Sequence, residues 1–175
     1  MAQSEREDSD SLARVMIRLG TPADAVGCAV VQRTAWRETY RGLANPSLWL
    51  TPPFTELTDR WKEWLAQPHP RYVAQEGDTI VGYAYARKAG RSSSVPPVRD
   101  HELYQLYVLA SHYGQGIGRR LLEAAAPAEI PTQLWVAARN ERAIRFYERN
   151  GFAKDGARDD GTSFAGIEAI RLLRG

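Results

Sequence analysis

Residues 106 to 118 read Leu-Tyr-Val-Leu-Ala-Ser-His-Tyr-Gly-Gln-Gly-Ile-Gly, and Arg-Arg-Leu-Leu follows at once at positions 119 to 122. An apolar run of β type enters a loop with glycine at every second position, and the loop opens an amphipathic helix. The backbone N–H groups at a helix start have no partner within the helix, and the dipole adds roughly half a positive charge there. Glycine also lets the backbone approach a phosphate closely and adopt a positive φ, the left-handed conformation that a Cβ disfavours. The stretch therefore predicts a site for a phosphate-bearing ligand.

The spacing of the glycines argues against two nucleotide-binding loops. A Walker A loop needs Lys-Ser or Lys-Thr after its last glycine, whereas Arg119 and Arg120 follow here. A Rossmann loop reads G-x-G-x-x-G, whereas Gly114, Gly116 and Gly118 give G-x-G-x-G. The acid that a Rossmann fold places about twenty residues further on is also missing. Taken alone, the loop leaves open a plain structural turn.

A second segment, residues 140 to 152, reads Asn-Glu-Arg-Ala-Ile-Arg-Phe-Tyr-Glu-Arg-Asn-Gly-Phe. Asn140 suits the N-cap of a helix, and Gly151 suits the left-handed position that ends one. Asn140 and Tyr147 lie two helical turns apart, so they share a face. On its own, this pattern leaves open a surface helix that packs a tyrosine into the core with its hydroxyl at the rim.

Together the two segments resemble the GCN5-related N-acetyltransferase (GNAT) superfamily. Its cofactor loop has the pattern Arg/Gln-x-x-Gly-x-Gly/Ala, which residues 113–118 match at all but the first position. Its Asn-x-x-Ala-x-x-Phe-Tyr-x-x-x-Gly-Phe helix is matched by residues 140–152 without a gap. Residues 17–25 resemble the first strand and helix start of the family, and residues 80–84 resemble its third strand. The resemblance covers roughly residues 15 to 173.

The resemblance implies an α/β fold of the α+β type. It comprises one domain with a central mixed, mostly antiparallel sheet, helices on both faces and a V-shaped splay between strands 4 and 5. The domain spans residues 15–175, residues 1–14 form a flexible tail, and residues 89–100 form a mobile loop. The patterns predict strands at 15–19, 71–76, 79–88, 102–110 and 132–138, helices at 22–40, 54–67 and 116–126, a helix between Asn140 and Gly151, and a closing hairpin from 151–155 and 165–173.

The resemblance also implies acetyl-CoA as cofactor. The pantetheine arm would pair with the free edge of the strand that holds Leu106, Tyr107 and Val108. A backbone N–H near Tyr107 or Val108 would polarise the thioester carbonyl. Asn140 and Tyr147 complete the cofactor site, and the pyrophosphate would lie on the loop residues Tyr113, Gly114, Gln115, Gly116, Gly118 and Arg119. Tyr113 stands where arginine or glutamine is usual, so we expect slightly weaker cofactor binding.

Two catalytic roles follow from the resemblance. Tyr147 matches the position that meets the leaving sulfur. A thiol pKa near 8.5 against a tyrosine near 10 makes full proton transfer uphill by roughly 2 kcal/mol, so we expect a hydrogen bond to the developing thiolate. Glu102 matches the general base of the histone-modifying branch, and strict alternation places it on the strand face of Leu106 and Val108. A solvated acid at a strand entrance, with water as the base, is the alternative.

The acceptor is expected to be a primary amine of a small molecule or a peptide. Trp36 and Tyr40 form an i, i+4 pair on the first long helix and would border the acceptor site, with core packing as the alternative. Arg37 and Arg41 would favour an acceptor with a carboxylate. A non-catalytic acyl-CoA sensor is the alternative function, and a nucleotide triphosphate site is disfavoured by the missing Lys-Ser/Thr.

The composition of the chain also limits its cellular location and its partners. The chain has 175 residues, a formal net charge of +2 and one cysteine, which excludes an internal disulfide and fits a cytoplasmic protein. The basic excess is too diffuse to indicate nucleic acid. No window reaches a transmembrane length, and the three histidines lack metal-ligand spacing, so we expect neither a membrane nor a metal partner. A homodimer is possible.

Overall fold

The computed structural model describes residues 15–90, 95–162 and 164–175 of the chain. The predicted tail, residues 1–14, and residues 91–94 of the predicted mobile loop 89–100 lie outside these ranges. The described strands are β1 (Val15–Leu19), β2 (Arg71–Glu76), β3 (Thr79–Lys88), β4 (His101–Val108), β5 (Thr132–Ala137), β6 (Ala153–Asp159) and β7 (Ala169–Arg174). The described α-helices are α1 (Ala25–Tyr40), α2 (Ser47–Leu50), α3 (Phe54–Ala66), α4 (Ile117–Ala125) and α5 (Glu141–Arg149). The short helix α2 was not predicted.

The strands form one open sheet in the order β1-β2-β3-β4-β5-β7-β6. Every pair is antiparallel except β4 with β5, which run parallel. The prediction of a mixed, mostly antiparallel sheet is confirmed.

Strands β4 and β5 pair over only three positions and then separate. Their partners are His101 with Thr132, Glu102 with Gln133, and Leu103 with Leu134. Residues 105–108 of β4 pair only with β3, so their other backbone edge meets no strand among the described residues. The separation is the predicted V-shaped splay, and it leaves unpaired N–H and C=O groups inside the molecule.

A β-bulge in β4 changes which of its side chains share a face. Gln105 and Leu103 lie opposite consecutive residues of β3, so Tyr104 between them has no partner of its own. Such an extra residue breaks the period of two. Leu103 consequently joins Val108 in the main core cluster, and Glu102 points to the opposite side. The expectation that Glu102 shares the face of Val108 was wrong, because alternation along one strand cannot reveal a bulge.

Helices cover both faces of the sheet, as predicted. On one face α1 and α3 pack a cluster that includes Ala29, Trp61 and Tyr83. On the other face α4 and α5 pack the larger cluster, which includes Leu121 and Ile144. Strand β4 therefore lies between two layers of helices, and packing from both sides stabilises the splay.

The closing hairpin differs from the predicted one. Strand β6 extends to Asp159, and β7 begins only at Ala169. The register between the strands shifts between Lys154 and Arg158, and Gly161 adopts a φ of +96° in the turn that follows. A bulge and a wide turn of this kind leave no periodic signal, so the pattern placed the strand ends wrongly.

Candidate active site

The splay opens into a cleft made of two adjoining cavities of about 310 and 290 Å³. One faces the glycine loop, and we call it the loop-side cavity. The other faces α1, and we call it the helix-side cavity. Both are lined by Leu106, Tyr107, Asn140, Ala143 and Tyr147. A ligand that enters from the glycine loop can therefore meet a second ligand from the α1 side at this junction.

The glycine loop has the backbone that its sequence predicts. Gly114 and Gly116 have φ angles of +80° and +72°, which side chains rarely adopt, and α4 begins directly after them. A Cβ at Gly118 would lie 3.4 Å from the Phe146 ring, so this glycine lets α4 approach α5. Most of the predicted loop residues line the loop-side cavity: Tyr113, Gly114, Gly116, Gly118 and Arg119. Gln115 is not among the lining residues.

The Tyr113 ring contacts an arginine side chain, and the sequence alone did not predict this contact. The Arg142 guanidinium carbon lies 3.9 Å from the centre of the Tyr113 ring, within cation–π range. Arg142 belongs to the first turn of α5, and both side chains line the loop-side cavity. The aromatic residue that departs from the family pattern thus holds an arginine from another element beside the glycine loop. Only the fold brings these two segments together.

Tyr147 lies at the junction of the two cavities and is 8% exposed. Its ring packs edge-on against Phe146 and Phe152, with centres 5.1 and 5.7 Å away. Burial and the nearby Tyr40 hydroxyl raise the pKa of Tyr147 well above its ordinary value. The phenol therefore stays protonated, and it can donate a hydrogen bond into the cleft.

Asn140 caps α5, as predicted, and lines both cavities. Its Oδ1 accepts a hydrogen bond of 3.1 Å from the Ala143 backbone N–H. This bond fixes the carboxamide and leaves its Nδ2 as the group able to donate to a ligand. Asn140 and Tyr147 share the face of α5 that sequence periodicity predicted.

Tyr40 and Trp36 line the helix-side cavity and also pack in a small core cluster. The predicted core packing is therefore observed, and their role at the acceptor site stays a prediction. The Tyr40 and Tyr107 hydroxyl oxygens lie 2.7 Å apart in a hydrogen bond. The Trp36 ring centre lies 6.4 Å from that of Tyr40 and 6.3 Å from that of Tyr107. These contacts tie α1 to the free part of β4.

Glu102 is buried, with 2% of its surface exposed, and it lines the helix-side cavity. Its Oε2 accepts a hydrogen bond of 2.9 Å from Gln133 Nε2, and its Oε1 lies 3.3 Å from Arg87 Nη2. The interpretation of a solvated acid at a strand entrance was wrong, because the parallel pairing with β5 covers this end of β4. A carboxylate accepts about four hydrogen bonds, so Glu102 keeps capacity for a ligand.

A second buried carboxylate lines the same cavity. Asp159 is 7% exposed, and its Oδ1 accepts a hydrogen bond of 2.8 Å from the Gly161 backbone N–H. The sequence indicated only a turn at Asp159-Asp160-Gly161, because an aspartate before glycine is ordinary in a turn. The helix-side cavity therefore holds two carboxylates, which suits a cationic amine.

The comparison with known proteins decides the family. A model of the acetyltransferase (GNAT) family matches residues 31–152. The chain belongs to the GNAT family. It is therefore an acetyltransferase, and acetyl-CoA is its cosubstrate.

Other GNAT proteins are similar over much of the chain. It is 34% identical to the N-alpha-acetyltransferase RimI of Mycobacterium tuberculosis over 113 residues, which are 63% of this chain and 69% of RimI. It is 25% identical over 150 residues to the probable N-acetyltransferase Rv2775 of the same organism, covering 82% and 83% of the two chains. The PaiA N-acetyltransferase of Thermoplasma acidophilum, solved with coenzyme A, has a similar fold, with a TM-score of 0.68, 19% identity and coverage of 91% and 98%.

The residues of this GNAT chain fit an acetyl-CoA molecule. Gly114 leaves the loop backbone open, since a Cβ there would meet no atom of the described residues within 4 Å. The free edge of β4 offers backbone groups for pairing, and Arg119 and Arg142 add positive charge. Within the described ranges, no helix has the length and apolar composition needed to cross a membrane.

Proposed function

We propose that this enzyme transfers the acetyl group of acetyl-CoA to a primary amine of a small molecule or a peptide. The amine attacks the thioester directly, and coenzyme A leaves as a thiolate. The observation that carries the proposal is the position of Tyr147, a buried phenol that lines the loop-side and helix-side cavities at once. A group at this junction can act on the leaving sulfur while the amine approaches from the other side.

The loop-side cavity holds the cofactor. The backbone N–H groups from Gly114 to Arg119 bind the pyrophosphate, and Asn140 supports the site from α5. The free edge of Leu106–Val108 binds the pantetheine arm, and an N–H near Tyr107 or Val108 donates to the carbonyl oxygen, where negative charge develops. When bound, acetyl-CoA supplies an activated acyl group with a thiolate leaving group.

Arg142 replaces the basic side chain that the loop lacks at position 113. The Tyr113 ring holds the Arg142 guanidinium beside the glycine loop, 3.9 Å from the ring centre. A guanidinium is planar, always charged and pairs strongly with phosphate oxygens. We therefore assign Arg142 to the phosphate groups of the cofactor, with Tyr113 as its positioning residue.

Tyr147 donates a hydrogen bond to the sulfur as negative charge develops there. Its raised pKa keeps the proton on the phenol, so the thiolate is stabilised without prior proton transfer. Protonation of the thiolate follows or is concerted with its release.

Glu102 accepts the proton of the amine, directly or through a water molecule. An alkyl amine with a pKa of about 10.4 is largely protonated at pH 7, so attack requires the loss of a proton. Gln133 and Arg87 fix the carboxylate in the wall of the helix-side cavity. Asp159 lies in the same wall, and we assign it to binding the ammonium group before the proton is lost.

The test is an acceptor screen that measures release of free coenzyme A thiol. We expect release that depends on both acetyl-CoA and an amine. Binding of acetyl-CoA without thiol release for any amine would instead indicate a sensor. The helix-side cavity favours the enzyme, because a sensor has no use for an acceptor site with two buried carboxylates. The cytoplasmic location and the possible homodimer stay predictions from the sequence.

A further inference from the structure

We propose that the acceptor of this enzyme carries an anionic group, and that Arg33 binds this group about 10 Å from the amine that is acetylated. The inference rests on the proposed amine acetylation and extends it to the class of acceptor. The observations behind it are a groove, an arginine that forms no ion pair with any described residue, and the spacing of residues along one helix.

The helix-side cavity continues into a groove of about 490 Å³ along α1. The two spaces share part of their walls, namely Trp36, Leu48, Tyr104, Gln105 and Ala165. Arg33 and Arg60 line only the groove. A molecule with its amine at Tyr147 can therefore extend along α1 without leaving the same channel.

Arg33 has no carboxylate partner among the described residues. Its Nη2 donates to the Pro52 carbonyl oxygen, and its guanidinium carbon lies 5.5 Å from the centre of the Phe54 ring. Its Nε is buried without a hydrogen-bond partner, and its Nη1 donates to no described residue. By contrast, Arg60 in the same groove pairs with Glu56 at 2.6 Å. A half-buried cation without a counter-charge is incompletely satisfied, and an anion in the groove can accept a hydrogen bond from its Nη1, which is not buried.

The helix fixes the separation between the two ends of the channel. Arg33, Trp36 and Tyr40 occupy positions i, i+3 and i+7 of α1, so they follow one face. Seven residues at about 1.5 Å each give roughly 10 Å between Arg33 and Tyr40 along the axis. Tyr40 bonds to Tyr107 at the cleft, so the anion site lies about that far from the chemistry.

The charges at the two ends are opposite. Glu102 and Asp159 lie in the helix-side cavity, and Arg33 lies in the groove beyond it. This arrangement fits an acceptor that has an ammonium at one end and an anion at the other. Arg37 and Arg41, from which the sequence indicated a carboxylate-bearing acceptor, are exposed and line neither space. In this proposal Arg33, rather than Arg37 or Arg41, binds the anionic group of the acceptor.

The test uses two matched pairs of amines with acetyl-CoA and a thiol-release readout. The first pair is the tripeptide amides Ala-Ala-Glu and Ala-Ala-Gln, in which the third residue lies about 7 Å from the first in an extended chain. The second pair is a long ω-amino acid and its primary amide. We expect kcat/KM to favour the charged member of at least one pair by about tenfold or more. Arg33→Gln should abolish this preference, Arg33→Lys should keep part of it, and Arg60→Gln should leave it unchanged.

Charge reversal provides a second measurement. Arg33→Glu should favour Ala-Ala-Lys amide over Ala-Ala-Glu amide, with an unchanged Kd for coenzyme A as evidence of a folded protein. Equal kcat/KM for both members of each pair, or a preference that Arg33→Gln leaves intact, overturns the anion site while acetyl transfer stands. If no amine releases thiol, the proposed function fails instead. In that case calorimetry measures the Kd of the charged and the neutral amines for the enzyme–coenzyme A complex. Tighter binding of the charged amines supports the anion site at Arg33, and equal binding overturns it.

Discussion

The Arg142 guanidinium carbon lies 3.9 Å from the centre of the Tyr113 ring, over a loop whose family pattern has a basic or amide residue at position 113. The two residues belong to different elements, and both line the loop-side cavity. In the proposed cofactor site, the cation beside the glycine loop is therefore supplied from α5 rather than from position 113.

Arg142→Ala should weaken coenzyme A binding by about tenfold, because a charge-assisted contact to phosphate is lost. Isothermal titration with coenzyme A measures this change. Binding of acetyl-pantetheine, which lacks the phosphate groups, should not change. Adding Tyr113→Arg to Arg142→Ala should restore most of the affinity, since an arginine then returns to the usual position. Wild-type affinity in the single variant would show that Arg142 makes no phosphate contact.

Gly82→Ala should destabilise the fold and distort the cofactor strand. A Cβ at this glycine would lie 2.9 Å from the Tyr107 carbonyl oxygen and 3.1 Å from the Leu121 side chain. Crowding of this kind in a packed core costs about 1–3 kcal/mol. Chemical denaturation measures the loss in the free energy of unfolding. Gly90→Ala is the matched control, because a Cβ there meets no atom of the described residues within 4 Å and its φ is not positive. Equal stability of the two variants would contradict the close packing of β3 against β4.

Glu102→Gln should lower kcat/KM at pH 7 by about 100-fold, because the amine then loses its proton acceptor. The kcat/KM of the variant should rise with pH toward the amine's own pKa, whereas the wild type should reach its plateau at lower pH. Asp159→Asn is the control for the second carboxylate. It should raise KM for the amine more than it lowers kcat, and it should leave the shape of the pH profile in place. A pH profile that Glu102→Gln does not move would assign the base to water or to Asp159.

The raised pKa of Tyr147 makes stability depend on alkaline pH. The unfolded phenol ionises near pH 10, whereas the folded phenol stays protonated there. The unfolded state therefore loses a proton first, and the free energy of unfolding falls above pH 10 by up to about 1.4 kcal/mol per pH unit for this group. Tyr147→Phe should show a shallower fall between pH 10 and 11 in urea titrations. Identical slopes for the two proteins would mean that Tyr147 titrates at its ordinary pKa.

The sequence alone predicted the features whose geometry is set within a single segment of the chain. The left-handed glycines at 114 and 116, the Asn140 cap and the shared face of Asn140 and Tyr147 follow from local steric and hydrogen-bonding rules, and all are confirmed. The splay followed from the resemblance rather than from any pattern within the strands.

What the sequence did not show depends on contacts between distant segments. The bulge at Tyr104 is visible only in the register with β3, and it moves Glu102 to the other face. In the sequence Arg142 is one of several arginines on a polar helix face, and only the fold shows that it contacts Tyr113. In the sequence Arg33 does not differ from its exposed neighbours, and only the fold shows that Pro52 and Phe54 contact its side chain. In each case the missing information is tertiary, because the partner lies on another element.

The steady-state rate of Tyr147→Phe tests the central claim most directly. The phenylalanine ring keeps the contacts with Phe146 and Phe152 and removes only the hydroxyl. Coenzyme A thiol release is measured with saturating acetyl-CoA and the best acceptor from the screen, and the Kd of acetyl-CoA is measured alongside. We predict that kcat falls by about 100-fold, the equivalent of about 2.7 kcal/mol in transition-state stabilisation, while the Kd changes by less than about threefold. An unchanged kcat would remove Tyr147 from the chemistry and contradict the proposed mechanism.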